Sequence, residues 1–445
     1  VAQYPAGLND CYDALKYVNE NKSKLRIGNN ICLGGESGGG NLSLALTLKL
    51  KHNNELHLCN GVYALCPYIA GHWDQKKSNE GILGTSHIGK MPSSLRMAYG
   101  YSIKAFREKD PLSWMGFATI DDLRGFPRMV LSMNEADPFC DEGINFYRRA
   151  VKAGVNVEGK VLLGTDHAND LHWHLVPEIA TTTARAMADF CANGSLIDRL
   201  PMPSPMVSTL KFLTNEELKL QVETYNKSNK VVRNVNGIVL DARVFQRYQN
   251  MAAVWKEIPR ILKSKGGTEK EMLELVGLMA GKLPNNGKHT RKNKKKSWND
   301  RVELSKLVGK ARENIFNKYD LTSIYNARMN GRYETAVKLL SPGIQVDLIH
   351  DCIGKDSKNI IPMYVVRPEN SGTDIPCFFY LHGGGMATLS SADGVFQAFA
   401  RLIARQGVCV IMPEFRNSLN GTTLVPDVAQ YPAGLNDCYD ALKYV

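Results

Sequence analysis

The chain has 445 residues, 44% hydrophobic and 22% charged, an ordinary globular composition with apolar content for one large core or two smaller ones. No run reaches the roughly 18 consecutive apolar residues a membrane span requires, and no basic start followed by an apolar stretch marks a signal peptide. The formal charge of +11 is unevenly spread: Lys288, Arg291, Lys292, Lys294, Lys295 and Lys296 form one dense basic run, 288–296. The reading preferred for it is a solvated loop at a linker or processing site, over a nucleic-acid, membrane-surface or nuclear-import patch. Cys32, Cys66, Cys377 and Cys409 lie in apolar, strand-like runs where cysteine behaves as a small buried hydrophobe. With no zinc-type C-x-x-C spacing among the ten cysteines, a reducing, cytoplasmic setting and no metal or other cofactor are expected.

Residues 1–18 read VAQYPAGLNDCYDALKYV, and residues 428–445 read the same without a change. The repeat suits either a window on a head-to-tail array of near-identical units or a permuted chain with an overlap. The array is the favoured expectation, because an 18-residue overlap serves no evident purpose, and neighbouring repeat units then become candidate partners. On either reading Val1 is not expected to open a natural domain. The repeated segment has helical character: Pro5 suits a first turn, and Leu8, Cys11, Leu15 and Val18 recur at three- and four-residue spacing.

In chain order, Ile27–Leu33 is a strand-like run into Gly34-Gly35, and Asn41–Leu50 a buried helix. Gly61–Ile69 and Arg128–Met133 are further strand-like runs, separated by a polar segment, His72–Phe126, long enough for lid or pocket elements. Phe146–Ala153 has helical character, Val155–Leu163 strand character, and Pro177–Ala192 forms a closing helix with proline in its first turn. The breakers of PMPSPM after Leu200 open a polar linker, 201–239. Helical periodicity fills Leu240–Lys282 and Arg301–Leu340, giving a helical cap over 240–335. Ile344–Ile349, Ile361–Val366, Cys377–Leu381 and Val408–Met412 complete the strand-like runs. The expected fold is α/β, with a mostly parallel central sheet and helices on both faces. Its core is supplied by 1–200 and 336–445, and its order along the chain is permuted.

Chemistry concentrates in two motifs. Gly35-Glu36-Ser37-Gly38-Gly39 follows a strand and opens a helix, the context of a G-x-S-x-G nucleophile elbow and hence of an α/β-hydrolase fold. Gly35 and Gly39 leave room for a tight turn, Ser37 is lifted clear of the sheet, and the helix opening at Gly38 aims N–H groups at the site. His382-Gly383-Gly384-Gly385 follows another strand. Its amides and that of Gly38 are candidate oxyanion donors, each worth ~3 kcal/mol of barrier. A serine needs a histidine base, and the histidine an acid. Asp137, just past a strand end, and His167, in the next loop, follow Ser37 in the Ser, Asp, His order of this fold. Asp141 is the runner-up acid, and His172 and His174 are runner-up bases. Asp166, His167, His172 and His174 could form a metal cluster, a reading subordinate to the catalytic one for His167.

These residues resemble the hormone-sensitive-lipase family of carboxylesterases. The resemblance runs through HGGG, then PEFRNSLNGTTLVPDVAQYPAGLNDCYDALKYV, GESGGGN and DPFCDEG. It implies a Ser37, Asp137, His167 triad, with Gly383, Gly384 and Gly38 donating to the oxyanion. Position 38 is Gly where the family usually has Ala, His167 precedes Ala168 rather than Gly, and Arg416-Asn417-Ser418 departs from the family's arginine-leucine-alanine. The expected function is hydrolysis of small or medium acyl esters through an acyl-enzyme, with a small-molecule ester as partner. The competing reading is a non-catalytic ligand-binding or structural repeat unit on the same fold.

Overall fold

Strands β1 (Ile27–Glu36), β2 (Gly61–Leu65), β3 (Met129–Asn134), β4 (Val157–Leu162), β5 (Ile344–Ile349), β6 (Met363–Pro368), β7 (Ile375–Leu381) and β8 (Cys409–Pro413) form one sheet. Their order across it is β4-β3-β2-β1-β7-β8-β6-β5. The structure is a computed structural model that describes residues 4–71, 101–102, 104–195, 197–203, 268, 333–350, 352, 360–386 and 389–417. The basic run, the linker beyond residue 203, most of the 240–335 cap and the second copy of the repeated segment lie outside the described residues.

The strand-like runs of the sequence all become strands, with shifted ends. β1 continues through Gly34 and Gly35 to Glu36; β2 stops at Leu65, short of the Ile69 expected. Pairing is parallel from β4 through β8, while β6 runs antiparallel to both β8 and β5. β1 pairs with β7 across the middle, Cys32 opposite Phe378 and Gly35 opposite Leu381. The beginning and the end of the described chain therefore share one sheet.

The central strands are apolar on both sides because both sides are covered. Ile31 and Leu33 face one core while Cys32 faces the other, and Phe379 and Leu381 alternate with Phe378 and Tyr380 in the same way. The first core takes helices α1 (Ala6–Glu20), α2 (Gly38–His52) and α3 (Cys140–Lys152). The second takes α4 (Pro177–Ala192), α5 (Gly394–Ala404) and helical residues 333–340. Helix α5 has no counterpart among the expected elements, although Val395, Phe396, Phe399, Leu402 and Ile403 mark a helical stripe. Helix α2 is buried around nearly its whole circumference, since it lies between the sheet and α1. Its hydroxyls turn inward onto its own carbonyls, Ser43 Oγ to Gly39 O at 2.8 Å and Thr47 Oγ1 to Ser43 O at 2.9 Å. Helix α1 is the first copy of the repeated segment. It is seated by Asp10, which is fully buried and accepts the Arg416 N–H at 3.2 Å.

Of the 72–126 segment, Ser113, Trp114, Met115, Ala118 and Leu123 pack into the core. Trp114 is fully buried, Asn41 donates to Ser113 O and accepts from Met115 N, and Arg149 donates to the Gly116 and Ala118 carbonyls. Nine cysteines are free and buried among the described residues, on both faces of the sheet. No described helix is long and apolar enough to cross a membrane.

Gly34 lets the two central strands close: a Cβ there would overlap the Phe378 ring and stand 2.8 Å from the Tyr63 carbonyl. Gly34→Ala should cost about 2 kcal/mol or more, as overpacking does. Gly372→Ala, where nothing lies within 4 Å, should stay within about 0.5 kcal/mol of the parent. Denaturant titration of the two variants compares them directly.

Candidate active site

The C-terminal ends of β1, β2, β3 and β4 converge on one edge of the parallel sheet, where short loops can bring side chains from successive strands together. Ser37 follows β1 directly, at φ 54° and ψ −119°, a conformation costly for a residue with a Cβ. Its surroundings hold it there. The Ser37 N–H donates to Leu65 O at 2.9 Å, and its carbonyl accepts from Tyr68 N at 2.9 Å and Asn41 N at 3.1 Å. The flanking glycines are required as expected. A Cβ on Gly35 would lie 2.7 Å from the Gly39 backbone, and one on Gly39 would lie 2.7 Å from His382 O.

Asp137 and His167 are brought together. Asp137 Oδ2 meets His167 Nδ1 at 2.6 Å, and Asp137 Oδ1 accepts the Phe139 N–H at 2.9 Å. Both carboxylate oxygens are thus occupied, and the residue is 2% exposed. The His167 ring stands edge-on to Phe139 at 5.0 Å, and its backbone N–H donates to Asp166 Oδ1 at 2.7 Å. Ala168 takes a left-handed φ of 55°, which accounts physically for a glycine being favoured after the histidine in related sequences. Asp141, the runner-up acid, sits in the first turn of α3, where a negative charge suits the helix N-terminus. His172 Nδ1 pairs with the Tyr333 hydroxyl at 2.9 Å, and the His174 ring packs edge-on to Tyr333 at 4.8 Å. These two histidines gather around an aromatic residue from the far part of the chain. Among the described residues, the donor atoms that converge within 4.8 Å belong to Cys66, Asp137 and His167. The set Asp166, His167, His172 and His174 does not form such a group.

The glycine loop lies against Ser37's neighbour: a Cβ on Gly38 would stand 2.8 Å from Gly385 Cα and 2.9 Å from Gly385 N. Alanine, usual at this position in the family resembled, has no room in this arrangement. Gly384 and Gly385 turn the loop back with φ of 109° and 64°. The His382 ring stacks on Phe415 at 4.1 Å, which fixes the entry to the loop. The Gly383 N–H, expected among the oxyanion donors, is directed at the Glu36 carboxylate.

Glu36 and Asp170, both buried, and the half-buried Glu142 are acids that sequence reasoning passed over. Glu36 occupies the variable position of the elbow motif and accepts from Tyr380 and Gly383; Glu142 accepts the N–H groups of Ile69 at 2.8 Å and Ala70 at 3.1 Å. Burial pushes both up to about 8, although their hydrogen bonds pull the other way. Burial also raises Asp170, which accepts from Asn134 at 3.4 Å. The available signal was an acid flanked by residues destined for the core, a placement rarely tolerated without partners.

Residues 1–170 match the family described as alpha/beta hydrolase fold. The chain is 27% identical over 171 residues to vegetative-specific protein H5 of Dictyostelium discoideum, covering 37% of this chain and 50% of that protein. Solved structures that match include esterase Est22, at 40% identity and TM-score 0.39, covering 44% of this chain and 56% of the other. Another is brefeldin A esterase, a bacterial homologue of human hormone sensitive lipase, at 35% identity and TM-score 0.38, covering 43% and 55%. The chain spans about half the length of these relatives.

Both raised glutamates bind protons in the folded chain that the unfolded chain releases. Their contribution to stability is complete below the ordinary value of 4.5 and is lost as pH rises through about 8. Unfolding free energy should therefore fall between about pH 5 and about pH 8, at up to about 1.4 kcal/mol per pH unit for each group. Glu142→Gln, neutral throughout, should flatten the decline. A slope unchanged in this variant would remove Glu142 as a source of it.

Proposed function

We propose that this chain, an α/β-hydrolase with the HGGG and GESGG motifs of the hormone-sensitive-lipase-like carboxylesterases, hydrolyses carboxylic esters of small or medium acyl groups through an acyl-enzyme on Ser37. The observation that carries the reading is the 2.6 Å pairing of His167 Nδ1 with Asp137, one strand-end loop away from a serine held at φ 54°. With Nδ1–H donated to Asp137, the His167 lone pair lies on Nε2, the nitrogen that takes the Ser37 proton. Ser37 Oγ then bonds to the ester carbonyl carbon, and the carbonyl oxygen becomes an oxyanion facing the N–H groups of Gly38, Gly384 and Gly385. Collapse expels the alcohol, which receives its proton from His167. Water activated by the same imidazole attacks the acyl-enzyme, and the carboxylic acid leaves as Ser37 regains its proton.

Asp137 holds the imidazole in one tautomer and stabilises its cationic form. Its buried position and its second bond, to Phe139, keep the carboxylate from rotating away. The proposed substrate is a neutral small-molecule ester, because the reacting groups are themselves buried, Ser37 being 9% and His167 5% exposed.

Ser37→Ala should lower turnover of a nitrophenyl ester about 10³-fold or more, and a fluorophosphonate probe should label the parent at Ser37 alone. Retention of a tenth of the parent rate, by the ~10-fold criterion that corresponds to only about 1.4 kcal/mol of barrier, would exclude Ser37 as nucleophile. Esters of graded chain length, assayed in parallel, define the acyl preference.

Asp137→Asn should cost about 10²-fold or more in kcat, since an asparagine favours the wrong imidazole tautomer. Asp141→Asn should change kcat less than about threefold, because its charge serves the α3 N-terminus. Equal losses in the two variants would reverse the assignment of the acid.

A further inference from the structure

We infer that Glu36 is the positioning residue of the oxyanion loop: its carboxyl anchors the first glycine of HGGG so that the second and third face Ser37. The inference rests on the ester-hydrolase reading and assigns that site a part the motifs leave blank.

Glu36 is the last residue of β1 and 2% exposed. Its backbone belongs to the same turn as the nucleophile, while its side chain reaches across to β7 and the loop beyond. One oxygen accepts the Tyr380 hydroxyl and the other the Gly383 N–H. No side chain fits at position 383, where a Cβ would stand 3.0 Å from the Glu36 carboxyl carbon and closer still to its oxygen. Position 383 is therefore glycine for the sake of this contact, not for an approach to substrate. Beyond it the chain reverses through two left-handed residues, Gly384 and Gly385, and comes to rest against Gly38.

The geometry makes a short lever. Ser37, Glu36 and Gly38 are consecutive, so the anchor that fixes the loop and the groups that the loop must face move as one body. Removing a full charge from water is costly, and burial raises this carboxyl to about 8. An apolar residue of similar size would avoid that cost. A carboxyl at this place, with both oxygens engaged, has its natural explanation in holding two donors from another strand.

The test compares Glu36→Gln, which keeps an acceptor for the Gly383 N–H, with Glu36→Met, which keeps the length and removes the acceptor. Three quantities are read: kcat and KM for a nitrophenyl ester, the thermal midpoint, and hydrogen exchange of the Gly383 amide. The glutamine variant should stay within about threefold of the parent kcat, whereas the methionine variant should lose about 10²-fold, the scale of one misplaced oxyanion donor. KM should move less than about threefold in both, because the loop acts on the transition state. The Gly383 amide should be protected in the parent and the glutamine variant and exchange rapidly in the methionine variant.

A folded methionine variant with parental kcat, or one whose Gly383 amide stays protected, overturns the inference. If Glu36→Met does not fold, Tyr380→Phe decides. Loss of the hydroxyl frees the carboxyl to rotate, so Gly383 exchange should quicken and kcat fall at unchanged KM. No change in either quantity overturns the inference. Should the parent hydrolyse no ester while the exchange pattern holds, the ester reading falls and the anchor stands.

Discussion

Two backbones approach one another at the ends of β1 and β7 more closely than side chains would allow, and the site is built on that approach. Gly34, Gly35 and Gly39 on one side face Phe378, Leu381 and His382 on the other, with no space for a Cβ between them. Because the strands are paired residue by residue up to Gly35 and Leu381, the loop leaving β7 has nowhere to go but over the turn that carries Ser37. A side chain at any of these glycines would push the loop outward and separate Gly38 from Gly385. Steric exclusion, rather than a directed bond, thus sets the spacing, and the bonds made by Glu36 and His382 fix orientation within it.

The polar groups beneath the site obey a different constraint. Glu36, Asp137 and Asp170 are buried acids near one strand edge, with the half-buried Glu142 beside them, and like charges that close cannot all ionise cheaply. The structure separates them by chemistry. Asp137 sits beside an imidazole, whereas Glu36 and Glu142 are pushed up to about 8, far enough to carry protons at neutral pH. Glu36 and Glu142 can therefore hold their loops as neutral acids. Each of the four has hydrogen-bond donors directed at it, as buried polar groups must.

Much of this was legible in the sequence. Ile344–Ile349 and Pro177–Ala192 have the ends that their patterns indicate, and G-x-S-x-G between a strand and a helix located the turn. Glycine misled at the end of β1. Gly34 and Gly35 look like breakers, yet they continue the strand, because a close crossing needs glycine as much as a turn does. Glu36 was hidden by its place in a motif that leaves it unspecified, and the work of Gly383 was hidden with it, since a glycine's role depends on what stands opposite. Helix α5 shows the reverse case: its apolar stripe was visible, but the glycine that opens it and the glycine loop before it read as continuous irregular chain. Local pattern reports periodicity well and cross-strand partners poorly, because partners such as Glu36 and Gly383 stand 347 positions apart.

The nine free cysteines of the described residues have a use beyond filling space. They are spread over β1, β7, β8, α1, α3, α4 and the segments beside these and β2, on both faces of the sheet, and all are shielded from solvent. A thiol in that state reacts with a dissolved reagent only when its surroundings open. The molecule therefore carries its own set of clocks. The order in which these sulfurs become reactive traces which layers part first, from a fraying helix to the parting of the central strands, without any label having been introduced.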